Sequence, residues 1–279
     1  MAGHGPFSKS FDDLNFTDNY MFCKVLQQNT ELCKKMLEIL LHMEIKEVKV
    51  IESEKPIENF YNSKGVRLDL YVKNDDESFD IEMQTCNYEN LILRARYYQS
   101  SRDQEEMLRS ADYSTLKKSY IIFLCLDDPI GFGGYVYTKQ SFFKEYPDQT
   151  YNDKTNVVFY NCKGYEQADD SELRNVLEFI YTAKSNSPFT DSIEKSVDKV
   201  KSDETWRKEY MTINEVIRDE KKLAREEGVK EGKEEQAIKT AENMLKRGKL
   251  TYEEIAEDTG LPVEKIEELA KKVTVPAQN

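Results

Sequence analysis

The chain reads Val66-Arg67-Leu68-Asp69-Leu70-Tyr71-Val72-Lys73, then Asn74-Asp75-Asp76-Glu77, and shortly after Phe79-Asp80-Ile81-Glu82-Met83-Gln84. Alternation in the first segment is strict. Val66, Leu68, Leu70 and Val72 fall on one face, and Arg67, Asp69 and Tyr71 on the other, which is the two-residue period of a strand. The third segment repeats it, with Phe79, Ile81 and Met83 inward and Asp80, Glu82 and Gln84 outward. The Asn- and Asp-led stretch between them is turn material. Together they predict a β-hairpin. With Asp75-Asp76 as a two-residue loop, Tyr71 faces Asp80, Asp69 faces Glu82 and Arg67 faces Gln84. Directly opposed side chains sit about 5 Å apart at Cβ, where two carboxylates repel. A divalent cation between them reverses the sign of that interaction. The competing reading is a solvated strand face that happens to carry acids.

Outward from the hairpin, Thr17 reads as an N-cap with Asp18 in the first turn, and Thr30-Glu31 restarts a helix through Leu32, Met36, Leu37, Leu40 and Leu41. Lys46–Ser53 alternates as an edge or half-buried strand does. A helix is expected from about Tyr88 to Leu108, with Leu91, Ile92, Ala95 and Tyr98 on one side. Ser119–Leu126 is a nearly continuous apolar run, as a strand buried on both faces requires. Gly131–Gly134 reads as a loop, Thr155–Tyr160 as a strand and Glu172–Lys184 as a helix. The order αβββαβ predicts an α/β sandwich around a mixed sheet. The polar hairpin face should then meet helices, where lone carboxylates are costly.

Composition changes near residue 185. Before it lie nearly all the aromatics and every convincing strand; after it come Lys-, Glu- and Ala-rich patterns. Thr205–Arg247 reads as a helix weakened at Gly228 and Gly232. Two short helices follow, Tyr252–Asp258 and Val263–Lys272, with the spacing of a small helix-turn-helix. The expected organisation is a flexible leader (1–13), a catalytic-type core (14–185), a helical extension (186–247) and a small helical module (248–279). The acidity of that last module favours packing or homo-oligomerisation over DNA contact.

The 279 residues are 39% hydrophobic, with 13 Phe and 17 Tyr, which is enough for a real core and excludes wholesale disorder. No stretch approaches the roughly 20 apolar residues of a membrane helix, and the polar start predicts no secretory signal. Five cysteines without a CxxC pair read as buried reduced thiols of a cytoplasmic protein. The two histidines, His4 and His42, leave no basis for a serine-hydrolase triad or a His-rich metal site. Carboxylate chemistry remains. The net charge of −13 opposes nucleic-acid binding through the overall field, so any such role needs a local basic strip or metal ions.

Four blocks carry a family resemblance: Phe16-Thr17-Asp18-Asn19-Tyr20-Met21-Phe22-Cys23-Lys24, Val66-Arg67-Leu68-Asp69, Ile81-Glu82-Met83-Gln84 and Arg94-Ala95-Arg96-Tyr97-Tyr98. In this order and spacing they resemble the PD-(D/E)XK nuclease family transposases, also called the Rpn (recombination-promoting nuclease) group, over about residues 14–185. The resemblance implies a restriction-endonuclease-like αβββαβ core with a mixed central sheet and a C-terminal helical tail. It also implies Mg²⁺-dependent hydrolysis of DNA, with Mn²⁺ able to substitute. Asp69 and Glu82 would be the metal ligands and Gln84 a third site residue. Asp18 matches the family's amino-terminal acid and Lys24 the end of its block; a helix-terminus charge and a solvated helix face are their respective alternatives.

Two departures stand out. Leu68, not Pro, precedes Asp69, which leaves the alternation intact. Gln84 occupies the Lys position; it cannot act as a base, though it can orient a water by hydrogen bonding. DNA contacts are expected from Arg67, Arg94, Arg96 and Tyr98, with Arg102 and Arg109 extending a basic strip along one helix. Glu89, Asp103, Glu105 and Glu106 share that helix, so intrahelical ion pairing is the alternative. Gln84 and the acidity keep a second reading open: a catalytically inactive nuclease-fold protein that assembles through its helical tail.

Overall fold

A computed structural model describes residues 9–57, 66–85, 89–107 and 112–274 of the chain. The hairpin forms as its alternation dictates. Strand β2 (Val66–Lys73) runs antiparallel to β3 (Glu77–Gln84), with Tyr71 opposite Asp80 and Lys73 opposite Ser78. The Asn74 N–H donates to Glu77 O at 3.0 Å, closing the two-residue loop. Strand β1 (Val50–Ile57) flanks β2, and β4 (Lys118–Cys125) lies parallel to β3. The full sheet has six strands in the order β1-β2-β3-β4-β8-β5, where β5 is Val136–Lys139 and β8 is Thr155–Asn161. Since β3, β4 and β8 are parallel and the other pairs antiparallel, the sheet is mixed, as expected. Between β5 and β8, β6 (Ser141–Phe143) and β7 (Tyr146–Tyr151) pair into a separate two-stranded sheet.

Helices cover both faces. Helix α1 (Asn19–Gln28) packs on β1 and β2, and Tyr160 Oη of β8 donates to Leu40 O of α2 (Thr30–Leu41). Against the other face lies α3 (Leu91–Glu106), whose Leu91 and Ala95 are buried against Ile121, Phe123, Val157 and Phe159. Phe123 and Phe159 stack with centroids 5.2 Å apart. Burying rings of this size is the main apolar contribution in such a layer. Helix α4 (Ser171–Thr182) starts where the Asp170 carboxylate accepts the Leu173 N–H at 2.8 Å; α5 (Pro188–Lys201) starts at a Ser187–Thr190 capping box with Pro188 in the first turn. The chain divides into two compact units, Met1–Tyr210 and Met211–Asn279. Helix α6 (Glu204–Arg247) begins in the first. In the second, Ala241 is buried with Ile255 of α7 (Tyr252–Thr259) and Ile266 and Leu269 of α8 (Val263–Thr274). Among the described residues no helix is long and apolar enough to cross a membrane.

Several expectations need correcting. The N-cap of α1 is Asp18, not Thr17, and its carboxylate turns back to the Asn15 N–H at 2.8 Å instead of capping the helix. The edge strand begins at Val50, not Lys46, and runs to Ile57 through Pro56, with Glu54 in a left-handed conformation (φ 52°). Proline is tolerated there because an edge strand has one unpaired side. Ile92 is 51% exposed and does not share the buried face of α3 with Leu91 and Ala95. Helix α6 passes through Gly228 and Gly232 without a break. Strands β5, β6 and β7 had no expected counterpart. Cys23, Cys33, Cys125 and Cys162 are free and buried. Cys86, Arg109 and the expected helix ends at Tyr88 and Leu108 lie outside the described residues, as does the leader up to residue 8.

Candidate active site

The two hairpin acids interlock through each other's backbone. The Asp69 N–H donates to Glu82 Oε1 at 2.9 Å, and the Met83 N–H donates to Asp69 Oδ2 at 3.2 Å. Pairing of β2 with β3 reaches only Leu70↔Ile81, so carboxylate oxygens take over where the backbone ladder stops. On the other side, β1 pairs through Ser53↔Leu70 and Lys55↔Leu68, skipping Glu54 opposite Asp69. The left-handed turn of Glu54 lifts the ladder there, and the Asp69 carbonyl accepts instead from the Cys23 thiol at 3.1 Å. Asp69 is therefore freed from both neighbouring strands at the point where its side chain meets Glu82.

Thr17, Asp18, Asn19, Arg67, Asp69, Glu82, Gln84, Arg94 and Tyr98 line one cleft of about 260 Å³. Glu82 is 1% exposed. Its Oε2 accepts from Arg94 Nη2 at 3.1 Å and faces Gln84 Nε2 at 3.4 Å. Gln84 Oε1 accepts from Arg94 Nη1 at 3.0 Å, and Arg94 Nη2 also donates to Tyr98 Oη at 2.9 Å. Burial pushes the Glu82 carboxyl well above the usual carboxylate range, and the Asp80 and Asp69 charges add to this. Asp69 is likewise raised by burial, against the Met83 N–H and the Arg67 and Arg94 charges.

Beneath it, Asp80 is completely buried, and neither of its carboxyl oxygens has a hydrogen-bond partner of ordinary geometry. Burial raises its carboxyl, and the Arg102 charge opposes the rise. Arg102, 2% exposed, donates to Ser78 Oγ and sits over the Tyr71 ring at 5.5 Å. Sequence reasoning missed this buried Asp80–Arg102 layer. The available signal was Asp80 lying two residues before Glu82 on the same strand face, beneath a helix carrying arginines.

Of the remaining expected site residues, Asp18 and Arg67 line the cleft, whereas Lys24 and Arg96 do not. Asp18 lines the cleft, with Lys9 Nζ 2.8 Å from its Oδ1. Lys24 does not line it; its ammonium pairs with Glu209 at 2.8 Å and lies 4.5 Å from the Trp206 ring centroid. Arg67 stands at the cleft's exposed rim, 3.8 Å from Glu54. Arg96 lines a separate hollow of about 410 Å³ with Gln99 and Lys139. The expected basic strip is not continuous, because Arg102 is buried beneath the site. Arg94 also pairs with a carboxylate outside its own helix, Glu82, across the helix–sheet interface.

The family model described as PD-(D/E)XK nuclease family transposase matches residues 13–257. The chain belongs to this family. No curated protein and no solved structure matches it. Membership suggests a nuclease- or transposase-like function and implies DNA as the substrate, and nucleases of this family generally use divalent metals. The donors of this PD-(D/E)XK member fit such an ion. Asp69 and Glu82 offer only hard oxygens, and a divalent cation would offset the burial and the carboxylate repulsion that raise the Glu82 carboxyl. Among the described residues no three His, Cys, Asp or Glu side chains form a metal-holding group. Two carboxylates with water and substrate oxygens filling the remaining positions are the Mg²⁺ pattern rather than an all-protein cage.

Proposed function

We propose that this protein is a Mg²⁺-dependent endonuclease hydrolysing DNA phosphodiester bonds, with Mn²⁺ able to replace Mg²⁺, and that residues 14–185 carry the activity. The observation supporting it is the convergence of Asp69, Glu82, Gln84 and Arg94 in one cleft, with the two acids cross-bonded through the hairpin backbone. Asp69 and Glu82 would hold the ion. When bound, it would polarise a phosphoryl oxygen and make water a stronger acid. The chain's own groups do the rest. Gln84 orients water through its amide without taking a proton. Arg94 and Arg67 meet the phosphate as bidentate donors, Tyr98 steadies Arg94, and Asp18 faces the cleft from the start of α1. A role in recombination or in mobile elements follows from the family alone; none of these residues argues for it.

One observation favours a second reading, a silent scaffold of the same fold. Both ends of the Gln84 amide are already engaged inside the site, and Lys24 is held by Glu209. Plasmid nicking in Mg²⁺ and in Mn²⁺ separates the two. Wild type is expected to cut. Asp69→Asn and Glu82→Gln are each expected to lose more than the roughly 10–100-fold typical of removing a residue that only supports a ligand. Cutting that survives both substitutions removes the assigned site. A wild-type protein that cuts neither duplex nor single-stranded DNA, yet self-associates, is the scaffold.

A further inference from the structure

A cleft-facing oxygen that an ion would need already accepts from a cation of the chain itself. Glu82 Oε1 is committed to the Asp69 N–H, which leaves Oε2 as the oxygen facing the cleft. Arg94 Nη2 sits on that oxygen at 3.1 Å, while its Nη1 holds Gln84 Oε1 at 3.0 Å. The exposures are unequal: 1% for the Glu82 side chain and 29% for that of Arg94. The guanidinium therefore closes the mouth over the carboxylate. From these contacts we propose that Arg94 is an internal stand-in for the divalent cation. It neutralises Glu82 while the site is empty and must leave Glu82 and Gln84 for an ion to enter, which releases it toward a DNA phosphate.

This rests on the metal-site reading above and adds a role to it. A guanidinium and a dication on the same Oε2 would repel each other strongly away from bulk water, which favours one over the other. Tyr98 Oη, which accepts from Arg94 Nη2 at 2.9 Å, would keep a tether on the displaced side chain. Its planar fork then matches phosphate geometry, which an ammonium would not do. Ion and DNA would both favour the same outward position of Arg94, so each tightens binding of the other by the same factor. The helix supplies the hinge: α3 is fixed to the sheet by Leu91 and Ala95, so the side chain moves while its backbone stays.

The test measures Mn²⁺ binding to the full chain without DNA, by the loss of the free-ion electron paramagnetic resonance signal, with every variant compared at one pH. Arg94→Met is expected to bind Mn²⁺ about tenfold more tightly than wild type or better, and Glu82→Gln to lose binding. Arg94→Lys, which keeps a charge but not the fork, should fall between and guards against misfolding of the first variant. Adding a DNA duplex should tighten Mn²⁺ binding more in wild type than in Arg94→Met. If Glu82→Gln abolishes binding while both Arg94 variants bind as wild type does or more weakly, the ion site stands and the stand-in role falls. If wild type and Arg94→Met both fail to bind Mn²⁺, the metal-site reading itself falls, and this inference with it.

Discussion

At the scale of single residues, the site stacks three acids, Asp80, Asp69 and Glu82, between two arginines. Arg102 lies at the buried end and Arg94 at the cleft, and each moderates the carboxylate it faces. Charge held this way costs stability as pH rises. Asp80 is pushed up to about 7 by burial, with Arg102 opposing. A carboxyl raised in the folded state leaves its stabilisation intact below the ordinary carboxylate range and loses it as pH climbs through the folded value. Thermal and urea unfolding of the ion-free protein should therefore show stability falling between about pH 4 and about pH 7. In Asp80→Asn that fall should shrink by at least about 1.4 kcal/mol, the equivalent of one pK unit. An unchanged slope would mean that Asp80 does not titrate across this range. Absolute stability is a separate matter, because the substitution also deprives Arg102 of its facing charge.

At the scale of elements, α3 and the hairpin form the site between them, and their spacing is set by one small side chain. Ala95, 1% exposed, sits against the stacked Phe123 and Phe159 and lets α3 lie close enough for Arg94 to reach Glu82. Ala95→Leu should cost about 1–3 kcal/mol through overpacking and lift the helix, lowering nuclease activity more than the stability loss explains; equal losses of both would remove Ala95 as the spacer. The hairpin and its register were legible because alternation fixes faces and a two-residue loop fixes pairing. The buried strand β4 was legible from its unbroken apolar run. Strand β1 was displaced because its course depends on a left-handed Glu54, which no propensity signals. Strands β5 to β7 are short, and β6 and β7 are largely exposed, so they carry no burial pattern. The commitment of Lys24 to Glu209 joins residues far apart in the chain, a contact that local spacing cannot reveal.

At the scale of the whole molecule, a net charge of −13 means that the field at long range repels DNA. Under the proposed reading, attraction is local and comes from a bound cation together with the arginines at the cleft. With Ca²⁺ as a probe, duplex affinity should fall with salt at a slope on the order of −2, matching two arginine–phosphate contacts. Without a divalent ion, binding should disappear in filter retention at physiological ionic strength. Tight retention by the ion-free protein, or a far steeper slope, would show that a broad basic surface does the binding and that the cleft does not. The two edges of the central sheet have a consequence of their own. On one side β1 has Pro56 in its outer stretch, a charged Lys55 and a backbone kinked at Glu54; on the other, β5 is only four residues long and ends at Lys139. Neither margin offers the long, flat row of unpaired amides that templates intermolecular strand addition. Aggregation through growth of this sheet is thereby blocked, and fibril seeding from it would first require unfolding one of these margins.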